Sequence, residues 1–90
     1  MAIGLNEQDS VIEYYYKDFG YVGVKLHELM DQKGISISRM VELADVQYRI
    51  VKKYYEQRSV RVDLEILAKF CFVLKCDISD ILYYKAPEEN

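Results

Sequence analysis

Glycine and proline, the residues that most often interrupt helices, are scarce in this chain. Its 90 residues include only four glycines and one proline, Pro87. Apolar residues recur at intervals of three and four, the spacing that places side chains on one face of an α-helix. Because so few residues would break such helices, the sequence predicts an all-α fold, and it contains no internal repeat or low-complexity segment.

Side chains that commonly build metal or catalytic centres are also few. The chain has two cysteines, Cys71 and Cys76, and one histidine, His27, which is distant from both in sequence. Metal sites generally need more ligands at closer spacing, so we expect no metal and no cofactor. We interpret both cysteines as small buried apolar residues and His27 as a surface residue. No glycine-rich phosphate loop and no activated nucleophile are evident, so we do not expect an enzyme.

Long apolar runs and targeting signals are lacking as well. No run approaches the ~20 residues that cross a membrane. The N-terminal sequence MAIGLNEQDS has neither the basic start nor the apolar centre of a secretory signal. Hydrophobic residues make up 51% of the chain and charged residues 30%, as in an ordinary globular domain. These features predict one small cytoplasmic domain with no membrane contact.

A basic stretch of the chain opposes its overall charge. Between Gln47 and Arg61 five basic residues and one acid give a local charge of +4. The whole chain carries −3, so the remaining residues carry −7. The basic residues are Arg49, Lys52, Lys53, Arg58 and Arg61, and the acid is Glu56. Concentrated positive charge on an acidic protein indicates a surface for a polyanion, and nucleic acid is therefore the leading candidate partner.

Apolar spacing and capping residues predict five helices. Gly34 suits the end of the first helix, and Ser36 or Ser38 suits the beginning of the second. Asp45 suits the turn that follows the second helix, because aspartate tolerates left-handed backbone geometry. Asp63 suits the beginning of the fourth helix. The predicted helices cover residues 23–33, 37–44, 47–56 and 64–74, followed by a short helix that begins at Asp77 or Ser79.

The fourth predicted helix carries more apolar surface than a single face can hold. The predicted buried stripe consists of Leu64, Leu67, Ala68, Cys71 and Leu74, and a second stripe beside it consists of Ile66, Phe70 and Val73. Together they cover more than half of the circumference, which is wider than a surface helix needs. We therefore expect the second stripe to be covered by the N-terminal segment or by another copy of the chain.

The N-terminal segment is predicted to be an extension of the domain. Ser10 and Glu13 have the spacing of a capping box, which favours a short helix from Val11. The sequence VIEYYY is, however, also rich in residues that prefer strands. Its aromatic residues, with Tyr83 and Tyr84 near the other end of the chain, are interpreted as packing residues or as a dimer contact. We divide the chain into this extension, the domain and a polar tail: residues 1–21, 22–86 and 87–90.

Four stretches, read in order, resemble the lambda-repressor-like helix-turn-helix family, the Cro and cI type. KLHELMDQKGIS resembles the first helix of that family and the beginning of its second. ISRMVELADV resembles the second helix and the turn, QYRIVKKYYEQ the recognition helix, and VDLEILAKFCFVLKCDISDIL the last two helices. The resemblance covers about two thirds of the chain, from Val24 to Tyr84. It implies a compact five-helix domain that binds double-stranded DNA, with the N-terminal segment added to it.

The resemblance also implies which residues contact the bases of DNA. In this family the second helix of the motif lies in the major groove, and its first residues reach base edges. Gln47, Tyr48 and Arg49 are therefore expected to read bases, with Lys52 next along the groove. Glutamine pairs with adenine and arginine with guanine through two hydrogen bonds each, while Tyr48 can pack against a thymine methyl group or a sugar.

Five further residues are expected to hold phosphate groups and so to position the protein on DNA. Ser36 and Ser38 lie at the start of the second helix, whose free N–H groups attract anions. The other three are basic: Lys53, Arg58 and Arg61. The expected function is a sequence-specific transcriptional regulator, a repressor, that binds DNA as a homodimer without a small-molecule effector.

The sequence leaves an alternative function open. The same fold can serve as a protein-interaction module, antitoxin-like or an adaptor, in which DNA recognition is weakened. Val41 favours this alternative because the family prefers alanine at that position, and Asp45 favours it because the family prefers glycine there. The acid Glu56, within the basic stretch, favours it too. In either case, we interpret Tyr54 and Tyr55 as packing residues and not as stacking platforms for bases.

Overall fold

The structure is a computed structural model that describes residues 18–57 and 61–88. In this part of the chain four α-helices are preceded by one short strand and followed by a 3₁₀ turn and a second strand. In chain order the elements are β1 (Tyr21–Val24), α1 (Leu26–Lys33), α2 (Ile37–Ala44), α3 (Tyr48–Tyr55), α4 (Leu64–Leu74), the 3₁₀ turn (Ile78–Asp80) and β2 (Leu82–Lys85). The predicted helix from Val11 lies outside the described residues.

The ends of the helices follow local signals in the sequence. Gly34 adopts left-handed geometry after α1, with φ 68°, and Asp45 does so after α2, with φ 55°. At the start of α2, Ser36 Oγ accepts a hydrogen bond of 3.1 Å from a backbone N–H of the first turn. Asp63 Oδ1 accepts a similar bond of 2.9 Å at the start of α4. The predicted capping residues are thus confirmed, with Ser36 as the cap of α2.

Two segments from opposite ends of the described chain pair as an antiparallel sheet, so the prediction of an all-α fold was wrong. Val24 in β1 lies opposite Leu82 in β2. Val24 is buried and Leu82 half-buried, so this face of the sheet closes one side of the core. The predicted first helix consequently begins later, at Leu26. The strands depend on backbone pairing between distant segments, which local apolar spacing does not report.

Gly23 gives Tyr83 the room to lie across the sheet. These two residues are paired in register, and a Cβ atom at Gly23 would overlap the Tyr83 ring. The Tyr21 ring packs edge-on against the same ring, with centroids 6.3 Å apart. Loss of hydration raises the pKa of the Tyr83 phenol, and so does the neighbouring Tyr21. The aromatic residues at this end of the chain therefore stabilise the sheet itself.

The short fifth helix is replaced by a single 3₁₀ turn. Asp77 precedes this turn, and its backbone N–H donates to Asp80 Oδ2 at 2.9 Å. The chain then enters β2 at Leu82, so the tyrosines that follow lie in a strand. The fold is therefore mostly helical: four α-helices, the 3₁₀ turn and the two-stranded sheet in the described residues.

One hydrophobic core holds the helices and the sheet together. Its fully buried side chains are Leu26, Met30, Met40, Val51, Leu67, Phe70, Leu74 and Ile81. Each of the four α-helices contributes at least one of them, and α3 packs against both α1 and α2. Within the described residues no helix is long and apolar enough to cross a membrane.

The apolar surface of α4 is oriented differently from the prediction. Its core-facing residues are Leu67, Phe70 and Leu74, with Ile66, Cys71 and Val73 half-buried beside them. Leu64 is 79% exposed and Ala68 is exposed too, so their assignment to the buried stripe was wrong. When apolar residues occupy most of a helix, their spacing alone does not say which side faces the core.

Both cysteines are free and half-buried, where the sequence predicted full burial. Cys71 lies in the last turn of α4, and its carbonyl oxygen accepts the backbone N–H of Cys76 at 3.1 Å. Burial raises the pKa of the Cys76 thiol to about 11, with smaller contributions from Cys71 and Asp80. At neutral pH Cys76 is therefore a protonated thiol, consistent with a packing role.

Candidate nucleic-acid interface

α3 carries the basic stretch on the side that faces away from the core. Val51 and Tyr54 are the buried residues of this helix. Tyr48, Arg49 and Lys52 are exposed, and at 100° per residue they fall within one arc of the helix. Three of the four side chains predicted to read bases therefore lie together on an accessible helix face.

The fourth predicted base-reading residue, Gln47, lies immediately before α3 as its N-cap. Its backbone is extended, and its carbonyl oxygen accepts the N–H of Val51 at 3.0 Å, the first hydrogen bond of the helix. Its side chain makes no capping hydrogen bond and is exposed. The side-chain amide of Gln47 is thus exposed at the N-terminal end of α3, next to Tyr48. Its hydrogen-bonding groups are not used to cap the helix.

Tyr54 fixes α3 against α4. It is 3% exposed, and its ring meets that of Phe70 edge-on, with centroids 5.3 Å apart. Its hydroxyl oxygen accepts the backbone N–H of Asp63 at 2.7 Å. Because Asp63 is also the cap of α4, one tyrosine joins the basic helix to both the beginning and the middle of its neighbour. Its interpretation as a packing residue is confirmed.

Tyr55, the next residue, fixes α3 against α1 on the other side. Its hydroxyl group donates to Asp31 Oδ1 at 3.0 Å, and its ring stacks on His27 with centroids 4.1 Å apart. His27 Nε2 lies 2.9 Å from Asp31 Oδ2, so the three side chains form one contact. The hydrogen bond to Asp31 raises the pKa of the Tyr55 phenol. His27 is exposed, as predicted, but its contact with Tyr55 was not.

The structure brings two predicted phosphate-binding residues together. Lys53 and Arg61 line the same open cleft of about 310 Å³ between α3 and the beginning of α4. The rest of its lining is Ile50, Tyr54, Val62, Asp63 and Ile66. The cleft therefore places two cationic side chains beside α3, in a lining that also contains apolar residues and the acid Asp63. Arg58, the third basic residue predicted to bind phosphate, lies outside the described residues.

Ser36 and Ser38 occupy the first turn region of α2. Ser36 Oγ accepts the backbone N–H of Arg39, which leaves the Ser36 hydroxyl proton as a possible donor to phosphate. Ser38 is exposed. Arg39 is exposed too, and its guanidinium group bonds to Glu42 at 3.0 Å. Arg39 lies outside the basic stretch and was not among the residues predicted to bind phosphate, yet it places a cation at this helix end.

Each acidic residue that flanks or interrupts the basic stretch has a lysine nearby, Glu56 at its carboxylate and Asp45 at its backbone carbonyl oxygen. Glu56 Oε2 is 3.9 Å from Lys52 Nζ, a pair one helical turn apart. Lys69 Nζ lies 3.4 Å from the carbonyl oxygen of Asp45. Since Lys69 belongs to α4, only the tertiary fold could show that it supplies positive charge at the turn before α3.

The exposed face of α3 offers positive charge and hydrogen-bonding groups. An exposed helix with amide and basic side chains can bond to base edges and phosphate oxygens. Among residues 18–57 and 61–88 no group of three or more His, Cys, Asp or Glu side chains is placed to hold a metal ion.

Comparison with known protein families agrees with the geometry. Residues 25–87 match a family model described as Cro/C1-type HTH DNA-binding domain. The matched region includes all four α-helices, the 3₁₀ turn and β2. A search of curated proteins gave no match.

Proposed function

The chain belongs to the Cro/C1-type helix-turn-helix DNA-binding family, and from this premise we propose that it is a sequence-specific transcriptional repressor. The observation that supports this best is the exposed face of α3, where Tyr48, Arg49 and Lys52 project opposite the buried Val51 and Tyr54. A major groove ~12 Å wide admits one α-helix. In this proposal α3 is the helix that enters it.

Four residues read the bases. Gln47 and Arg49 each offer two hydrogen-bonding groups, which suit adenine and guanine respectively. Tyr48 lies between them and packs against a thymine methyl group or a sugar, and Lys52 reaches a base further along the groove. Tyr54 and Tyr55 support this role indirectly, because they hold α3 from both sides and so limit how far its reading face can shift.

Phosphate contacts set the register of the protein on DNA. Lys53 and Arg61 act from the cleft beside α3, and Arg58, which lies between them in the sequence, adds a third cation. Ser36 and Ser38 act with the free N–H groups at the start of α2. Such contacts are insensitive to sequence, but they make binding strongly dependent on salt.

The repressor acts as a homodimer. Helix-turn-helix dimers bind two half-sites separated by about one turn of DNA, ~34 Å between centres, and the symmetry of the site mirrors that of the protein. One copy of this chain presents one α3, so a pseudo-palindromic operator needs two copies.

A second function, an interaction module of the same fold, is supported by a specific observation. Lys52 is within 3.9 Å of Glu56, and the whole chain carries −3, so part of the positive charge of α3 is offset. In this alternative the exposed residues of α3 contact a protein and duplex DNA is bound only weakly.

Selection of binding sites from random duplex DNA at low salt separates the two functions. The repressor should enrich a defined half-site, and its affinity should fall as salt rises. Three phosphate-binding cations per copy predict a slope of log K against log salt of about −2.7 per copy. Arg49→Ala should relax the preference at one base position and cost about 1–3 kcal/mol there.

Lys75→Ala provides the matched control, because it removes one positive charge from the C-terminal end of α4 and not from α3. It should leave the selected sequence unchanged. Lys53→Ala should weaken binding to all sequences equally and reduce the salt slope by about 1. If no sequence is enriched and Arg49→Ala behaves like Lys75→Ala, the repressor proposal fails and the interaction module takes its place.

A further inference from the structure

Lys69 is a cation of α4 that reaches the turn before α3. Its side-chain nitrogen Nζ lies 3.4 Å from the backbone carbonyl oxygen of Asp45. Asp45 ends α2 in left-handed geometry, with φ 55° and ψ 50°, and Lys69 itself is exposed. The two residues are 24 positions apart in the chain, so their contact is a product of the packing of α4 against α2.

This contact places Lys69 close to the residues of α3 that are proposed to read bases. Gln47 comes two residues after Asp45 and is the N-cap of α3. Two residues span at most ~7 Å, so the backbone of Gln47 lies on the order of 10 Å from Lys69 Nζ. The major groove is ~12 Å wide, and phosphates line its edges. A cation at this distance from the first residues of the reading helix is therefore within reach of phosphates at the groove edge.

With Lys69 included, cations flank both ends of α3. Lys53 and Arg61 line the cleft between α3 and the beginning of α4, and Lys69 lies beside the turn at the N-terminal end of α3. The helix has eight residues and is thus ~12 Å long. The two sets of cations are therefore separated by roughly one width of the major groove, ~12 Å.

Asp45 gives the position of Lys69 a second consequence. A carboxylate at the turn before α3 repels DNA phosphates, and this acid was one reason to keep the interaction module as an alternative. The carboxylate belongs to the residue whose carbonyl oxygen Lys69 contacts. The two charges therefore lie within one Debye length, ~10 Å in 0.1 M salt, and Lys69 offsets the negative charge of Asp45.

The contact with the carbonyl oxygen leaves most of the Lys69 ammonium group available. A lysine ammonium has three N–H donors, of which the Asp45 carbonyl oxygen takes one. The carbonyl end of α2 attracts a cation, which favours this position of the ammonium group in the free protein. Because the contact is exposed, it contributes little to stability and opposes a shift of the ammonium group toward a phosphate only weakly.

We propose that Lys69 is a phosphate-binding residue of the DNA interface, which holds the groove edge beside the N-terminal end of α3 and offsets the charge of Asp45. This inference rests on the proposed function in one respect, that α3 enters the major groove. It adds a contact from α4, outside the basic stretch, and it accounts for an acid at the turn of a DNA-binding motif.

The salt dependence of DNA binding by the full chain tests this role. Each phosphate contact contributes about 0.9 to the slope of log K against log salt. Lys69 raises the number of phosphate-binding cations from three to four, so the wild type should show a slope of about −3.6 per copy and Lys69→Gln about −2.7. The loss of affinity should be equal for all sequences, because a phosphate contact carries no base preference. Fluorescence anisotropy on a selected half-site and on a random duplex measures both quantities.

Two further substitutions make the test specific. Lys69→Arg keeps the positive charge and should retain the wild-type slope. Lys75→Gln is the matched control for Lys69→Gln, because it neutralises a lysine at the end of the same helix, where Lys75 Nζ lies 5.7 Å from the centre of the Phe72 ring. It should leave both slope and affinity at wild-type values. Since Lys69 is exposed, the melting temperature of its variants should stay close to that of the wild type.

Removal of the acid tests the charge offset. Asp45→Asn deletes the carboxylate, and asparagine also tolerates left-handed geometry. It should strengthen DNA binding and, when combined with Lys69→Gln, recover part of the affinity that the single Lys69 variant loses, because the net charge of the turn is then that of the wild type. If Asp45→Asn has no effect in either background, Asp45 does not face the phosphates and the offset is refuted.

The outcomes separate this inference from the repressor proposal. If the wild type binds DNA in a salt-dependent way but Lys69→Gln behaves like Lys75→Gln, the role of Lys69 is wrong and the DNA-binding proposal stands. If Lys69→Gln lowers affinity with an unchanged slope, Lys69 acts on the structure of the turn and not on phosphate, which also overturns the inference. If the wild type binds no duplex at low salt, the DNA-binding proposal itself fails, and the role of Lys69 fails with it.

Discussion

The hydroxyl group of Tyr54 allows a sharp test of how α3 is held in place. It accepts the backbone N–H of Asp63 at 2.7 Å, and the ring around it is buried against Phe70. Tyr54→Phe removes one oxygen atom and leaves the ring packing unchanged. The substitution therefore isolates the hydrogen bond between α3 and the beginning of α4.

The expected cost follows from the surroundings of this bond. A neutral hydrogen bond contributes about 1 kcal/mol net, and a buried N–H left without a partner costs about 1–3 kcal/mol. The bond is partly buried, and Asp63 itself is exposed, so water can reach the freed N–H in part. We expect a loss of about 1–2 kcal/mol in unfolding free energy. At about 4–8 °C per kcal/mol for a domain of this size, the melting temperature should fall by several degrees.

Thermal and urea unfolding, followed by far-UV circular dichroism, measure the change. Tyr55→Phe is the matched control, because it removes a hydroxyl group from the next residue, where the partner Asp31 is exposed and water can replace the bond. Its effect should be clearly smaller than that of Tyr54→Phe. Equal effects of the two variants, or no change for Tyr54→Phe, would refute the view that Tyr54 is the main attachment of α3 to α4.

Two further predictions concern the sheet and the thiols. Gly23→Ala should lower the stability of the wild type, since its Cβ would displace the Tyr83 ring. In a Tyr83→Ala background it should instead raise stability by about 0.4–1 kcal/mol, as removal of a flexible glycine usually does. Destabilisation in both backgrounds would contradict the steric explanation. With Cys71 replaced by alanine, alkylation of Cys76 by iodoacetamide should still be slow at neutral pH and keep rising beyond pH 9, because burial, the largest cause of the raised pKa of this thiol, remains when the smaller contribution of Cys71 is lost and only the thiolate reacts. A plateau near pH 9 would show an ordinary thiol.

The helical part of the fold was predictable because its signals are local. Gly34, Ser36, Asp45 and Asp63 each act on backbone groups within a few residues, and all four end or begin a helix as predicted. The order and spacing of these helices sufficed to indicate the helix-turn-helix family, which the match over residues 25–87 confirms. Base-reading and phosphate-binding roles remain predictions that the proposed experiments address.

The sheet was missed because its stabilising contacts are not local. Four residues of β1 pair with four of β2, and all four α-helices lie between the two strands in the sequence. Val24 and its partner Leu82 are therefore far apart in the chain. A short strand has no stability of its own before its partner is present. From local propensity alone, α1 was therefore predicted to begin at residue 23, and a further helix was predicted to begin near Asp77.

The sequence by itself determined the helices, their caps and the +4 charge of the stretch from Gln47 to Arg61, because each depends on neighbouring residues or on composition. The tertiary structure alone decided which side of α4 is buried, how Tyr54 and Tyr55 hold α3 from two sides, and that Lys69 lies beside Asp45. These features join residues far apart in the chain. Their energies come from packing and hydrogen bonds that exist only once the helices have assembled.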